Sequence, residues 1–178
     1  MHFAKRITEN SIHYLYQAVE LLGRLTDEQY MRKNLLLNTS SVGAHMRHTL
    51  DHYFRFFEGL EEGRIDYEAR TRGPRLDIDR AFAIKQIKET IKRVASLAAS
   101  NGDRRLMTRI EAGDRGVEEI KWATSTVARE LDFILSHTIH HYGMIAIILR
   151  IQQVEPGAEF GIAPSTLRYM RESVSCAR

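Results

Sequence analysis

Apolar residues recur at three- and four-residue steps from Phe3 to about Leu25, through Ile7, Ile12, Leu15, Tyr16, Val19 and Leu22, and that period draws one stripe along an amphipathic helix. Gly23 and "TDEQY" predict its end. A second helix is predicted over about 40–59, starting at Ser40 or Ser41, whose hydroxyls are suited to cap exposed amides. Val42, Met46, Leu50, Tyr53, Phe57 and Leu60 share one of its faces, and Gly59 and Gly63 loosen its end. A third helix is predicted over about 80–100, capped by Asp77 or Asp79, with Phe82, Ile84, Ile87, Ile91, Val94 and Leu97 inward and "NGD" closing it. The fourth, about 125–152, is the most apolar segment. It stops before Pro156-Gly157 and is expected at the centre of the core.

The connections are long. Residues 61–78 are polar and arginine-rich around Gly73-Pro74 and read as a connection rather than a domain linker. Residues 101–124 alternate in short stretches around "AGDRG", a pattern shared by a small hairpin and a structured loop. The tail, 157–178, contains a short amphipathic piece within "EFGIAPSTLRYMRESVSCAR" that is expected to pack on the helices before fraying. Four helices of about twenty residues with two long connections predict an all-α fold, a four-helix bundle whose topology need not be simple up-down-up-down.

Composition narrows the class. A chain of 178 residues is the length of a single domain, 1–178, with a sizeable core, and 43% hydrophobic with 28% charged residues excludes disorder and fibrous repeats. The 26 Lys/Arg are interspersed with 23 Asp/Glu, so no basic stripe marks a nucleic-acid partner. The densest basic stretch, "EARTRGPRLDIDR" with Arg70, Arg72, Arg75 and Arg80, has acids close by and reads as a solvated connection rather than an anion site. The lone Cys176 cannot form an intramolecular disulfide, which makes the cytoplasm the expected location. Charges interrupt the N-terminal apolar residues, against a secretory signal. The run "GMIAIIL" is far short of the ~20 residues of a membrane span, so no membrane partner is expected.

The chemistry lies in histidines. In "ILSHTIHHYGMI", His137 and His141 stand one helical turn apart on the same stripe, while His140 points aside. One helix thereby offers two ligands to a divalent ion, as in HExxH proteins, but Thr138 stands where a zinc protease needs its glutamate. A third ligand must come from another helix. The stretch "SSVGAHMRHTLDHYF" offers His45, His48 and His52 on one broad stripe with Asp51. If the second and fourth helices lie together, one of these three completes a site with His137 and His141; periodicity does not choose which. Spacing alone also leaves open a set of hydrogen-bonded structural histidines. A di-iron carboxylate site is excluded, because no glutamate has a histidine three residues later.

Three imidazoles suit zinc, nickel or iron and leave positions for water or substrate; such a water is easier to deprotonate, and a bound thiol is held as thiolate. Glu130, two turns before His137, is placed to accept a hydrogen bond from a ligand's free N–H or to move protons; the alternative is an exposed salt bridge to an arginine. Trp122 and Tyr142 read as packing residues.

These two stretches carry a resemblance. Through "SVGAHMRHTLDH" and "RELDFILSHTIHHYGMI" the chain resembles the DinB/YfiT-like family of four-helix bundle proteins over most of its length. The family's late His-x-x-x-His-x-Gly motif is matched by His137, His141 and Gly143. Its earlier histidine is matched by His48, in the phase set by Ser41-Val42 and Leu50-Asp51, which leaves His45 and His52 as extras. The resemblance implies a long-crossover bundle, a divalent metal held by His48, His137 and His141, and a homodimer. It also implies a small-thiol cosubstrate, since relatives include transferases and isomerases that use bacillithiol or mycothiol. Two positions depart from the family: Met144 stands where many members have glutamine, and the arginine-rich 64–80 connection matches no family motif. The expectation is a metal-dependent enzyme that activates water or a thiol, of hydrolase or thiol-dependent transferase or isomerase type. The alternative is a non-catalytic dimeric binding or stress-response bundle with a structural metal.

Overall fold

The computed structural model describes residues 2–35, 40–69, 73–99, 102–110 and 121–176. In chain order the elements are α1 (His2–Arg24), α2 (Asp27–Met31), α3 (Val42–Glu62), β1 (Arg64–Ile65), α4 (Arg75–Ile78), α5 (Arg80–Ser96), β2 (Arg105–Ile110), β3 (Lys121–Thr126), α6 (Val127–Ile151) and α7 (Pro164–Cys176).

The four long helices stand where the apolar period places them, and their ends have local causes. Ser41, not Ser40, caps α3: its Oγ accepts from the Ala44 amide at 3.1 Å. Asp79 rather than Asp77 caps α5, accepting from the Phe82 amide at 2.8 Å, while Asp77 pairs with Arg47 at 3.1 Å. At its far end α3 stops on Gly63, whose φ of 76° suits a residue without a Cβ. Thr126 caps α6 at the junction with β3, so the strand feeds straight into the helix and takes residues 125 and 126 from its expected start.

α1 packs against α5 and α6, and α3 against α5 and α6. Their shared interior holds Leu15 and Leu22, Met46 and Leu50, Ile87 and Val94, and Ile134 and Leu149, all buried. Each such side chain contributes about 1.5–3 kcal/mol by leaving water. Two residues of the predicted stripes depart: Tyr16 is 51% exposed and Phe82 is only partly buried. The Phe82 ring lies instead under the Arg75 guanidinium, 4.1 Å away, and Arg75 also pairs with Asp79. Arg80 pairs with Asp27 and donates to the Leu22 carbonyl, so both arginines serve as internal ties; Arg70 and Arg72 lie outside the described residues.

The all-α expectation is too narrow. The protein is mostly helical with one small sheet of order β1-β2-β3. β2 and β3 form the antiparallel hairpin that "AGDRG" suggested, pairing Arg105 with Thr126 and Ile110 with Lys121; its turn lies outside the described residues. β1 adds in parallel, Arg64 opposite Met107. Ile65 and Leu106 are buried and tie the sheet to the helices. Gly59 permits that contact, since a Cβ there would stand 2.6 Å from the Arg64 carbonyl oxygen. The tail docks ahead of its amphipathic piece: Phe160 stacks on Tyr142 at 4.7 Å, and the Tyr14 hydroxyl donates to the Ile162 carbonyl at 2.6 Å. In contrast, α7 itself, expected to pack on the helices, is mostly exposed, with Tyr169 71% in solvent. Among the described residues no helix is long and apolar enough to cross a membrane.

Candidate metal centre

The α3–α6 contact brings together the two histidine-bearing stripes. Because Ser41 sets where α3 begins, His45, His48 and His52 emerge on successive turns toward α6, and His137 and His141 meet them from α6. The Nε2 of His137 lies 2.9 Å from the Nε2 of His48 and 3.1 Å from the Nε2 of His141. Ring centroids within this trio are 4.5 to 4.9 Å apart. His52 adjoins it, its ring centred 4.1 Å from that of His137, and one ring nitrogen from each of His48, His52 and His137 falls within 4.8 Å of the other two. The His52 Nδ1–H donates to the His48 carbonyl at 2.9 Å, which leaves the ring's lone pair on Nε2. His45 closes the row from the other side, with its Nδ1 2.9 Å from the Nδ1 of His141. His140 is exposed and stands outside the cluster's interior.

Spacing and donor type together fit a divalent ion. Ligand nitrogens at ~2.0–2.1 Å from one ion stand roughly 3 Å from each other, and neutral imidazole is a common donor to zinc, nickel and iron. The cluster also favours that neutral form. Burial, followed by the neighbouring His137, His48, His45 and His140, pushes His141 down to about 2. Burial first and then His140 lower His45 as well.

The centre opens on a cleft of about 400 Å³ lined by His48, His52, His137, Tyr67, Phe133, Glu68 and Arg109. Tyr67 stacks on His52 at 5.4 Å and Phe133 on His137 at 5.8 Å, so aromatic faces wall two of the imidazoles. Glu130 corrects one expectation. It does pair with Arg129, at 3.0 Å, yet its own side chain is 0% exposed rather than at the surface. Its carboxylate accepts from the Tyr67 hydroxyl at 2.9 Å and from Ser125 Oγ, so it supports the cleft wall through Tyr67. Burial first, then Glu130, raises the Tyr67 phenol and keeps it neutral.

Tyr67, Arg109 and Phe133 carried no recognisable signal in the sequence. Tyr67 lies in the long connection and Arg109 on the hairpin, where an ion pair to Asp66 at 3.0 Å holds it; Phe133 reads as one more apolar residue of α6. Trp122 lies off the cleft under the Arg64 guanidinium, 5.8 Å away, and Tyr142 is a buried packing residue. Gly143 faces the tail: a Cβ on Gly161, whose φ is 73°, would stand 2.7 Å from the Gly143 amide nitrogen.

Fold and site define a class, a mostly helical protein whose interhelical histidine cluster is compatible with a metal ion. The chain belongs to the DinB superfamily, whose family model matches residues 15–145, a span that holds all five clustered histidines. Compared with curated proteins, the chain finds no match.

Proposed function

We propose that this protein is a metal-dependent enzyme in which His48, His137 and His141 hold one divalent ion, zinc, nickel or iron, beside a cleft that admits water or a small thiol. The reaction is of hydrolase or thiol-dependent transferase or isomerase type. The observation that supports this most is a row of close Nε2 contacts, His48 to His137 at 2.9 Å and His137 to His141 at 3.1 Å, with His48 and His137 lining a cleft of about 400 Å³. A divalent ion there supplies Lewis acidity, which eases deprotonation of a water or thiol that reaches it. The chain's own residues provide the setting. Tyr67 and Phe133 exclude water from one side, Glu130 fixes Tyr67 through its hydroxyl, and Arg109, tethered by Asp66, gives the cleft mouth a positioned cation. The same reading takes the chain as one domain, a four-helix bundle of α1, α3, α5 and α6 with long crossover connections, acting as a cytoplasmic homodimer.

Metal analysis of purified protein tests it. Wild type should carry about one ion per chain, and the His48→Ala, His137→Ala and His141→Ala variants should lose it. Unchanged stoichiometry in the variants overturns the assignment.

A second reading, a non-catalytic dimeric binding or stress-response protein with a structural metal, is favoured by one feature. Among the described residues lining the cleft, Glu68 is the sole carboxylate, and Glu130 is committed to Tyr67, Ser125 and Arg129. Strong loss of thermal stability on chelation, without turnover in thiol-transfer and hydrolysis screens, would select it.

A further inference from the structure

Behind the centre, on the side away from the cleft, lies a short line of polar contacts that the three-ligand reading leaves unused. The His45 and His141 Nδ1 atoms are 2.9 Å apart, and the opposite nitrogen of His45, Nε2, is 3.1 Å from Ser40 Oγ. A neutral imidazole has one N–H and one lone pair, so one choice of tautomer determines all the others along this line. If His141 presents the lone pair of Nε2 toward His137 and an ion, its proton sits on Nδ1 and donates to His45 Nδ1. His45 then carries its own proton on Nε2 and donates it to Ser40 Oγ. The reverse order puts a proton on His141 Nε2 and blocks ligation.

We infer that His45 is a positioning residue that holds His141 in its metal-binding tautomer and orientation, through a Ser40–His45–His141 hydrogen-bond relay. This rests on the three-histidine reading and adds to it a role for a histidine that the motif leaves spare. Ligating histidines commonly donate their second N–H to a carboxylate or carbonyl; here a second imidazole takes that place. The location suits a neutral acceptor. His45 is in the first turn of α3, where the helix dipole opposes a cation, and it is half-buried.

The test compares Zn²⁺ affinity, by competition with a chromophoric chelator, in wild type and in His45→Ala, His45→Phe and His45→Asn. Alanine and phenylalanine remove the acceptor, the second with ring volume retained, and both should weaken Zn²⁺ binding about 10–100-fold, the scale of a lost outer partner. Asparagine, which restores an oxygen acceptor, should recover most of it. In the Co²⁺-loaded protein, the hyperfine-shifted His141 Nδ1–H proton should exchange slowly in wild type and in His45→Asn, and rapidly in the other two. Wild-type affinity and slow exchange in both His45→Ala and His45→Phe overturn the inference while leaving the ligand set intact. A wild-type protein that binds no Zn²⁺ overturns the ligand set and the relay together.

Discussion

The α3–α6 seam and the small sheet meet at one cleft, yet they are assembled by different means. In the seam, His48 with His52 and His137 with His141 are four residues apart on regular helices, so each pair's common direction is set locally. On the sheet side, Tyr67 arrives from the connection after β1, and Arg109 depends on a parallel pairing across more than forty residues, Arg64 with Met107. The seam therefore supplies donors at helical precision. The sheet supplies walls and charge through contacts that exist only once the chain has folded.

That division can be broken first at the seam. His137→Ala removes the nitrogen that lies nearest both His48 and His141, and ion affinity should fall well beyond the ~100-fold upper range of an outer-partner loss, with helical content unchanged by circular dichroism. Metal retained at wild-type affinity would show that the row of imidazoles is merely structural.

The sheet side should respond in stability instead. Gly59→Ala drives a Cβ to within 2.6 Å of the Arg64 carbonyl oxygen and should cost about 1–3 kcal/mol in urea unfolding, while metal stoichiometry holds. Tyr67→Phe leaves the buried Glu130 carboxylate one donor short and should cost about 1–3 kcal/mol, again with the ion retained. Loss of the ion in either variant would mean that seam and sheet are coupled rather than separable.

The seam should also respond to pH. His141 is held neutral in the folded state, down to about 2, against an ordinary value near 6.5 in the unfolded chain. Between those values the unfolded chain binds more protons, so this contribution is complete above ~6.5 and declines as pH falls. Metal-free protein should therefore melt at progressively lower temperature from pH 7 to pH 4, and His141→Gln should flatten that slope. A slope unchanged by the substitution would place the titrating group elsewhere.

How much was legible follows the same division. The apolar period located α1, α3, α5 and α6, and Ser41 and Asp79 were among the caps expected for α3 and α5. The family model over residues 15–145 bears out the resemblance carried by the histidine stretches. The hairpin was visible only as one of two options, because short alternating stretches do not name their partners, and β1 is two residues long. For Glu130, helical phase gave the stripe of His137 and left two readings, a partner to a ligand or an exposed salt bridge. Its actual buried place, held by Tyr67 and Ser125, depends on two residues of other elements.

By itself, the sequence determined the helices, the shared direction of His137 and His141, and the stripe that carries His45, His48 and His52, since each follows from a 3.6-residue repeat acting over one or two turns. Only the tertiary structure decided which imidazoles meet: that His137 contacts both His48 and His141, that His45 backs His141, and that His52 stacks on Tyr67 beside them. Those outcomes depend on the offset between α3 and α6 and on where the sheet closes over them. Packing between distant segments sets both, and no local period encodes it.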